Sequence, residues 1–208
     1  MAFLKLNDFG TRRVLSQFHL TAGRRIGKGQ FCAVYEDGPD AVFKLTTDAI
    51  QLESVRDYLG GVHFPKMLDN IGYVGEQHVN ELSLFLFKSE RLKPLREADV
   101  ATRKLGRKVI RVVHECLSNR LTKSKVPALG PFKAKQAQRT LAALEQLAEN
   151  ADLPETMREA FEDIHRMVRD YDGLVIDFHG ANLMVRGADE IVFNDIIVDG
   201  SLLYRNIH

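Results

Sequence analysis

In a chain of 208 residues, a hydrophobic share of 45% supplies a sizeable core and a charged share of 27% is that of an ordinary soluble protein. Lys and Arg number 29 against 28 Asp and Glu, so the net charge of +1 gives no long-range pull toward nucleic acid or an anionic membrane. Two cysteines, Cys32 and Cys116, lack metal-ligand spacing and are too few for a disulfide scaffold.

Residues 1–11 show no basic run followed by an apolar core, and no apolar run approaches the ~18 residues needed to span a bilayer. Together with two reduced thiols, this leads us to expect a cytoplasmic protein.

Residues 20–45 read as three short strands punctuated by Gly23, Gly27, Gly29 and Gly38. A helix follows over 47–59, ended by Gly60-Gly61, and further strands are expected at 71–75 and 82–88. The second half changes character, with helices expected over 97–119 and 131–149. The clearest helix carries Met157, Phe161, Ile164, Val168 and Tyr171 on one face, with Asp152 and Glu155 placed as a capping box. Short strands return at 174–176, 183–185 and 191–193. Arg103, Lys104, Arg107, Lys108 and Arg111 fall within two helical turns and read as a solvated face. His114 and His165 read as structural or exposed helix residues.

Two places carry chemistry. The first is Ile26-Gly27-Lys28-Gly29-Gln30-Phe31-Cys32-Ala33-Val34, a glycine-rich turn between strands. Without Cβ atoms its N–H groups can lie over phosphate oxygens, with Phe31 capping the turn and Val34 facing a flat base. Lys44 follows on the next strand, in the apolar run Val42-Phe43-Lys44-Leu45, where its charge needs a partner such as a phosphate. The turn runs into a strand, which argues against a Rossmann site, and no Gly-Lys-Ser/Thr follows, which argues against a P-loop.

The second place is Asp177-Phe178-His179-Gly180-Ala181-Asn182, then Asp195. A hairpin between Asn182 and Asp195 sets an amide oxygen beside a carboxylate, both hard ligands suited to Mg²⁺. Asp177, set back on the loop, is placed to orient a hydroxyl or accept its proton. His179 reads equally as a phosphate contact or as a local backbone partner.

Taken together, these motifs resemble the protein-kinase-like superfamily. Gly27, Gly29, Phe31 and Val34 match its Gly-x-Gly-x-Phe-x-x-Val turn, and Lys44 matches its ATP-binding lysine. The five-residue step from Asp177 to Asn182 and the thirteen-residue step to Asp195 match its catalytic loop and metal-binding aspartate. The segment 84–92 resembles the fifth strand and hinge, with Glu90 and Leu92 beside the adenine. The loops are most similar to those of serine/threonine kinases carried by T7-like bacteriophages.

The resemblance implies an α+β, two-lobed fold in one domain, residues 1–208. A β-rich N-lobe of about 1–90 would precede a truncated, mainly helical C-lobe of about 91–208. Its cofactors would be ATP and Mg²⁺. Asp177, Lys44, His179 and Asn182 would be catalytic, Asn182 and Asp195 metal ligands, and Ile26 part of the nucleotide site. Its partners would be protein substrates, host proteins or the chain itself, with no nucleic acid and no membrane.

The chain departs from the family pattern in several places. Val175-Ile176 replaces His-Arg before the catalytic aspartate, and Ile196-Ile197 replaces Phe-Gly after Asp195. Thirteen residues follow Asp195, which leaves no room for the usual activation segment. Glu53, in the only helix expected in the first lobe, is the expected partner of Lys44, the alternative being that Lys44 works without one. Three functions therefore stand side by side: a serine/threonine protein kinase, a small-molecule phosphotransferase, and a non-catalytic ATP-binding module.

Overall fold

A computed structural model describes residues 3–118, 129–171 and 173–204. The chain is α+β and divides into two compact units, each taken by itself below. The first comprises Met1–Arg56, Lys66–Arg91 and Ser201–His208, and the second Asp57–Pro65 and Leu92–Gly200.

The first unit opens with helix α1, Phe9–Gln17, which the sequence did not announce. Strands β1 (Arg25–Lys28), β2 (Cys32–Glu36) and β3 (Ala41–Thr46) follow, then helix α2 (Ala49–Glu53), β4 (Met67–Gln77) and β5 (Leu82–Glu90). The five strands form one antiparallel sheet in the order β1-β2-β3-β5-β4. The expected 47–59 helix is α-helical only as far as Glu53 and continues as a π-helical turn over Ser54–Tyr58.

Side chains alternate across this sheet, and its two faces differ in chemistry. Ala33, Tyr35, Leu45, Leu84 and Leu86 pack with Leu4, Val14 and Leu20 into a buried cluster on one face. The register places Val34 beside Lys44 and Lys44 beside Phe87, a cross-strand row on the opposite face. Helix α1 lies close on β4 because position 10 has no side chain: a Cβ on Gly10 would sit 1.9 Å from the carbonyl oxygen of Glu76. Asp8 caps α1 by accepting from Thr11 N–H and also accepts from the N–H groups of His78 and Val79, which ties the helix to the β4–β5 turn.

The second unit holds the short strand β6 (Lys93–Pro94) and helices α3 (Val100–Ser118), α4 (Leu129–Ala148) and α5 (Glu155–Asp170). Strands β7 (Leu174–Ile176), β8 (Leu183–Arg186), β9 (Glu190–Phe193) and β10 (Ile197–Asp199) follow; helix α6 (Gly200–Tyr204), which ends the described chain, belongs from Ser201 onward to the first unit. Strands β6, β8 and β9 make one small sheet, and β7 pairs with β10 in another. Helix α5 buries Met157, Phe161, Ile164 and Val168, the stripe expected from sequence. Its expected capping box is absent. Pro154 occupies the cap position, which has no side-chain acceptor, and Asp152 lies instead 3.7 Å from the Lys108 ammonium.

One stretch of the second unit comes from far upstream. His63 is buried, stacks on Phe193, and sits with Nδ1 2.7 Å from the Ile191 carbonyl and Nε2 2.9 Å from the Thr156 hydroxyl. The carbonyl only accepts, so Nδ1 carries the proton and Nε2 accepts from Thr156. Burial, with the nearby Arg186 charge, holds this imidazole below the ordinary histidine range. Arg186 donates to the carbonyls of Val62 and Phe64 and also pairs with Glu190, fixing the same stretch to the β8–β9 hairpin.

Candidate active site

In the first unit, the β1–β2 hairpin closes with Gly29 N–H donating to the Cys32 carbonyl at 2.8 Å. Gly27 lies opposite Val34, where a Cβ would make only ordinary contacts at 3.6 Å. A Cβ on Gly29 would meet nothing nearer than 3.8 Å. The fold itself therefore does not demand glycine at either position. Ile26 is half-exposed on β1. Phe31 is buried with its ring 6.3 Å from Phe3, and its carbonyl accepts from the Thr47 N–H and the Thr46 hydroxyl.

Lys44 is 4% exposed, with its ammonium 5.9 Å from the Phe87 ring centroid. The expected ion pair with Glu53 is not formed. Glu53 is half-buried in α2 and enters no ion pair among the described residues. The α-helical part of α2 is a single short turn, which leaves little helix to carry a glutamate back to β3. At the end of β5, Glu90 donates its N–H to the Lys66 carbonyl and accepts from the Lys66 N–H through its carboxylate. The chain passes between units at Arg91 and Leu92, and Leu92 is half-buried.

The second unit assembles Asp177, His179, Asn182 and Asp195. Strand β7 ends at Ile176, and the next N–H, that of Asp177, donates to the Ile196 carbonyl at 2.8 Å. A tight turn over Gly180–Asn182 follows, capped by His179, whose Nδ1 accepts from Ala181 N–H at 3.3 Å. The same ring leaves Nε2 3.6 Å from Asp177 Oδ2, and both side chains are about half exposed. Asn182 begins the β8–β9 hairpin expected from sequence, in which Leu183 pairs with Phe193.

The amide nitrogen of Asn182 donates to two main-chain carbonyls, that of Asp177 at 2.7 Å and that of Asp195 at 3.0 Å. Both amide hydrogens are thus committed, and the remaining polar atom, Oδ1, is a pure acceptor suited to a hard cation. Asp195 adopts a left-handed backbone, φ 54°, uncommon for a residue with a Cβ. Its Oδ2 accepts from the Asn194 amide at 3.1 Å.

Sequence reasoning missed one contributor. His114 of α3 places Nε2 3.1 Å from the Phe178 carbonyl, and that carbonyl can only accept. Phe178 is itself buried, its ring 5.6 Å from Phe193 and 6.2 Å from Phe161. The peptide between Asp177 and His179 is therefore held at its ring and at its carbonyl, while both neighbouring side chains face outward. An isolated histidine on an amphipathic helix gives no sequence signal of this contact.

No protein-family model and no curated protein matches the chain. Among solved structures, it is similar to aminoglycoside phosphotransferase APH(4)-Ia, at 14% identity and a TM-score of 0.36, covering 91% of this chain and 74% of that one. A thermostable mutant of that enzyme, in ternary complex with AMP-PNP and hygromycin B, matches at 15% identity and a TM-score of 0.36, covering 94% and 74%. A second such mutant complex matches at 14% and 0.35, covering 91% and 70%.

Proposed function

We propose that this protein is an ATP-dependent phosphotransferase of the protein-kinase-like type, moving the γ-phosphate of Mg-ATP to a serine or threonine hydroxyl of a protein, of a host or of the chain itself. The observation that carries this reading is the double donation by Asn182, which joins the main chain at Asp177 to that at Asp195 and leaves the Asn182 amide oxygen as an acceptor. Two hard ligands suffice for Mg²⁺ when phosphates and water complete its shell. When bound, Mg²⁺ supplies neutralisation of the phosphate charge, with Asn182 and Asp195 as its protein ligands.

The roles follow from chemistry. The turn at Gly27–Gly29 offers N–H groups to the phosphates, with Ile26 and Val34 against the base and the backbone near Glu90 and Leu92 along its edge. The Lys44 ammonium, on an apolar face that solvates it poorly, pairs with phosphate oxygens. Asp177 accepts the hydroxyl proton as the acceptor oxygen bonds to phosphorus and ADP departs with the electrons of the breaking P–O bond. His179 Nε2 steadies the Asp177 carboxylate.

The test is transfer from γ-labelled ATP to serine- and threonine-containing peptides, with sugars and aminoglycosides as competing acceptors. Label should enter the peptides and fall at least ~100-fold in Asp177→Asn, the usual weight of a general base. Label found only in the sugars would move the assignment to a small-molecule kinase. Wild-type protein that binds Mg-ATP and labels nothing would reduce it to a binding module.

A further inference from the structure

Helix α3 adjoins the Asp177–Asn182 loop through Ile110 and His114, and basic residues occupy the helix N-terminal to them. Ile110 lies against Gly180, where its Cδ1 would be 3.6 Å from a Cβ, and His114 donates to the Phe178 carbonyl. With 3.6 residues per turn, Arg103, Arg107, Ile110 and His114 fall within ~60° around the helix axis. The stripe that touches the Asp177–Asn182 loop thus continues toward the helix N-terminus as arginines. Arg107 and Lys104 are exposed and Arg103 half-exposed. Among the described residues these three enter no ion pair.

Their neighbours are accounted for. Lys108 is held by the Asp152 carbonyl at 2.6 Å, Arg111 sits 3.9 Å from Glu115, and Asp99 accepts from Thr102 N–H at 2.7 Å while its carboxylate also feels the Arg103 charge. Like charges four residues apart work against a helix; Asp99 offsets Arg103 and Glu115 offsets Arg111, which leaves the Arg107 guanidinium between them without an ion pair among the described residues. A bound anion relieves that repulsion.

We propose that this stripe docks the phosphate acceptor, and that the acceptor is an acidic peptide segment with its hydroxyl at Asp177 and its carboxylates on Arg107 and Arg103. This rests on the phosphotransferase reading above. The spacing selects a peptide over a small metabolite: along the axis Arg107 lies ~10 Å and Arg103 ~16 Å from His114. An extended chain covers that in three to five residues at ~3.3 Å each. It also sets the acceptor apart from a cationic aminoglycoside, which the same arginines repel.

The experiment uses the full chain and fluorescein-labelled serine peptides carrying Glu or, as control, Lys three to five residues from the serine, read by anisotropy. At about 50 mM salt the acidic peptide should bind at least tenfold tighter than the basic one, and the preference should shrink as salt rises. Arg103→Gln/Arg107→Gln should erase the preference and raise the peptide KM about tenfold while the Kd for AMP-PNP stays within twofold. Circular dichroism checks that the helix is intact, as glutamine is a good helix former.

Equal affinity for the two peptides, a preference that survives in the double variant, or tight binding of a single-stranded oligonucleotide in place of the peptide would overturn the docking proposal. Acidic-peptide preference without any phosphate transfer would uphold docking and defeat the phosphotransferase reading. Transfer without the preference would do the reverse.

Discussion

The side-chain amide of Asn182 donates to the main-chain carbonyl of Asp195 at 3.0 Å, across the mouth of the β8–β9 hairpin. The same nitrogen reaches the Asp177 carbonyl, so one residue ties together the two main-chain segments that carry Asp177 and Asp195. Asn182→Leu removes two donors and the free oxygen. We expect a stability loss of about 1–3 kcal/mol in denaturant melts, from two stranded carbonyls, and loss of phosphate transfer. Asn182→Asp keeps an oxygen for a cation but loses the donors, so it should bind Mg-nucleotide while remaining destabilised.

His114 holds the Phe178 carbonyl, the peptide next to Asp177. One hydrogen bond of this kind is worth about 1 kcal/mol, roughly a factor of five in rate. His114→Leu should therefore lower kcat about fivefold with the nucleotide Kd unchanged. His114→Gln, which presents an N–H at a similar reach, should restore most of it. A purely structural role would show equal losses of stability in both variants and no split between kcat and binding.

His63 gives a pH dependence of stability. Its folded form is neutral, with a pKa held below that of the unfolded chain, near 6.5. The unfolded state therefore takes up the proton first. Its contribution is fully present above pH ~6.5 and is lost as pH falls below that value toward the folded pKa. Melting temperatures from pH 8 to pH 5 should fall in the wild type and fall less in His63→Gln. His63→Ala should cost about 2–4 kcal/mol at pH 8, from two lost hydrogen bonds and the emptied place beside Phe193.

Gly10→Ala tests how α1 is seated. The new Cβ collides with the Glu76 carbonyl oxygen, a backbone atom that cannot rotate away. A loss of about 1–3 kcal/mol is expected by chemical denaturation, as for other overpacked sites. At temperatures where the variant stays folded, phosphate transfer should be unchanged.

Much of this was legible in the sequence where a pattern had one cause. The β2, β3 and β5 strands declare themselves by alternation, and the α5 stripe by its period. The Asn182–Asp195 hairpin follows from two apolar runs of matching length. Other features were not legible because their cause lies elsewhere in the chain. Helix α1 buries little apolar surface beyond Val14 and is held by Gly10, Thr11 and the Asp8 cap, none of which makes an apolar stripe. His63 and its neighbours read as a loop, yet belong with strands more than a hundred residues later. Glu53 looked like the partner of Lys44 because it lay in the only helix expected in the first lobe, and α1 removes that premise.

The central proposal is that the protein binds Mg-ATP, with Lys44 and the Asn182–Asp195 pair each contributing to that affinity. Calorimetric titration of AMP-PNP into the wild type, Lys44→Met and Asp195→Ala, each with Mg²⁺ and with EDTA, tests it most directly. Lys44→Met should weaken binding at least tenfold in both conditions, since the lysine meets phosphate itself. Asp195→Ala should weaken it at least tenfold with Mg²⁺ and leave the EDTA value unchanged. Affinity unaltered by either substitution in the presence of Mg²⁺ would contradict the account.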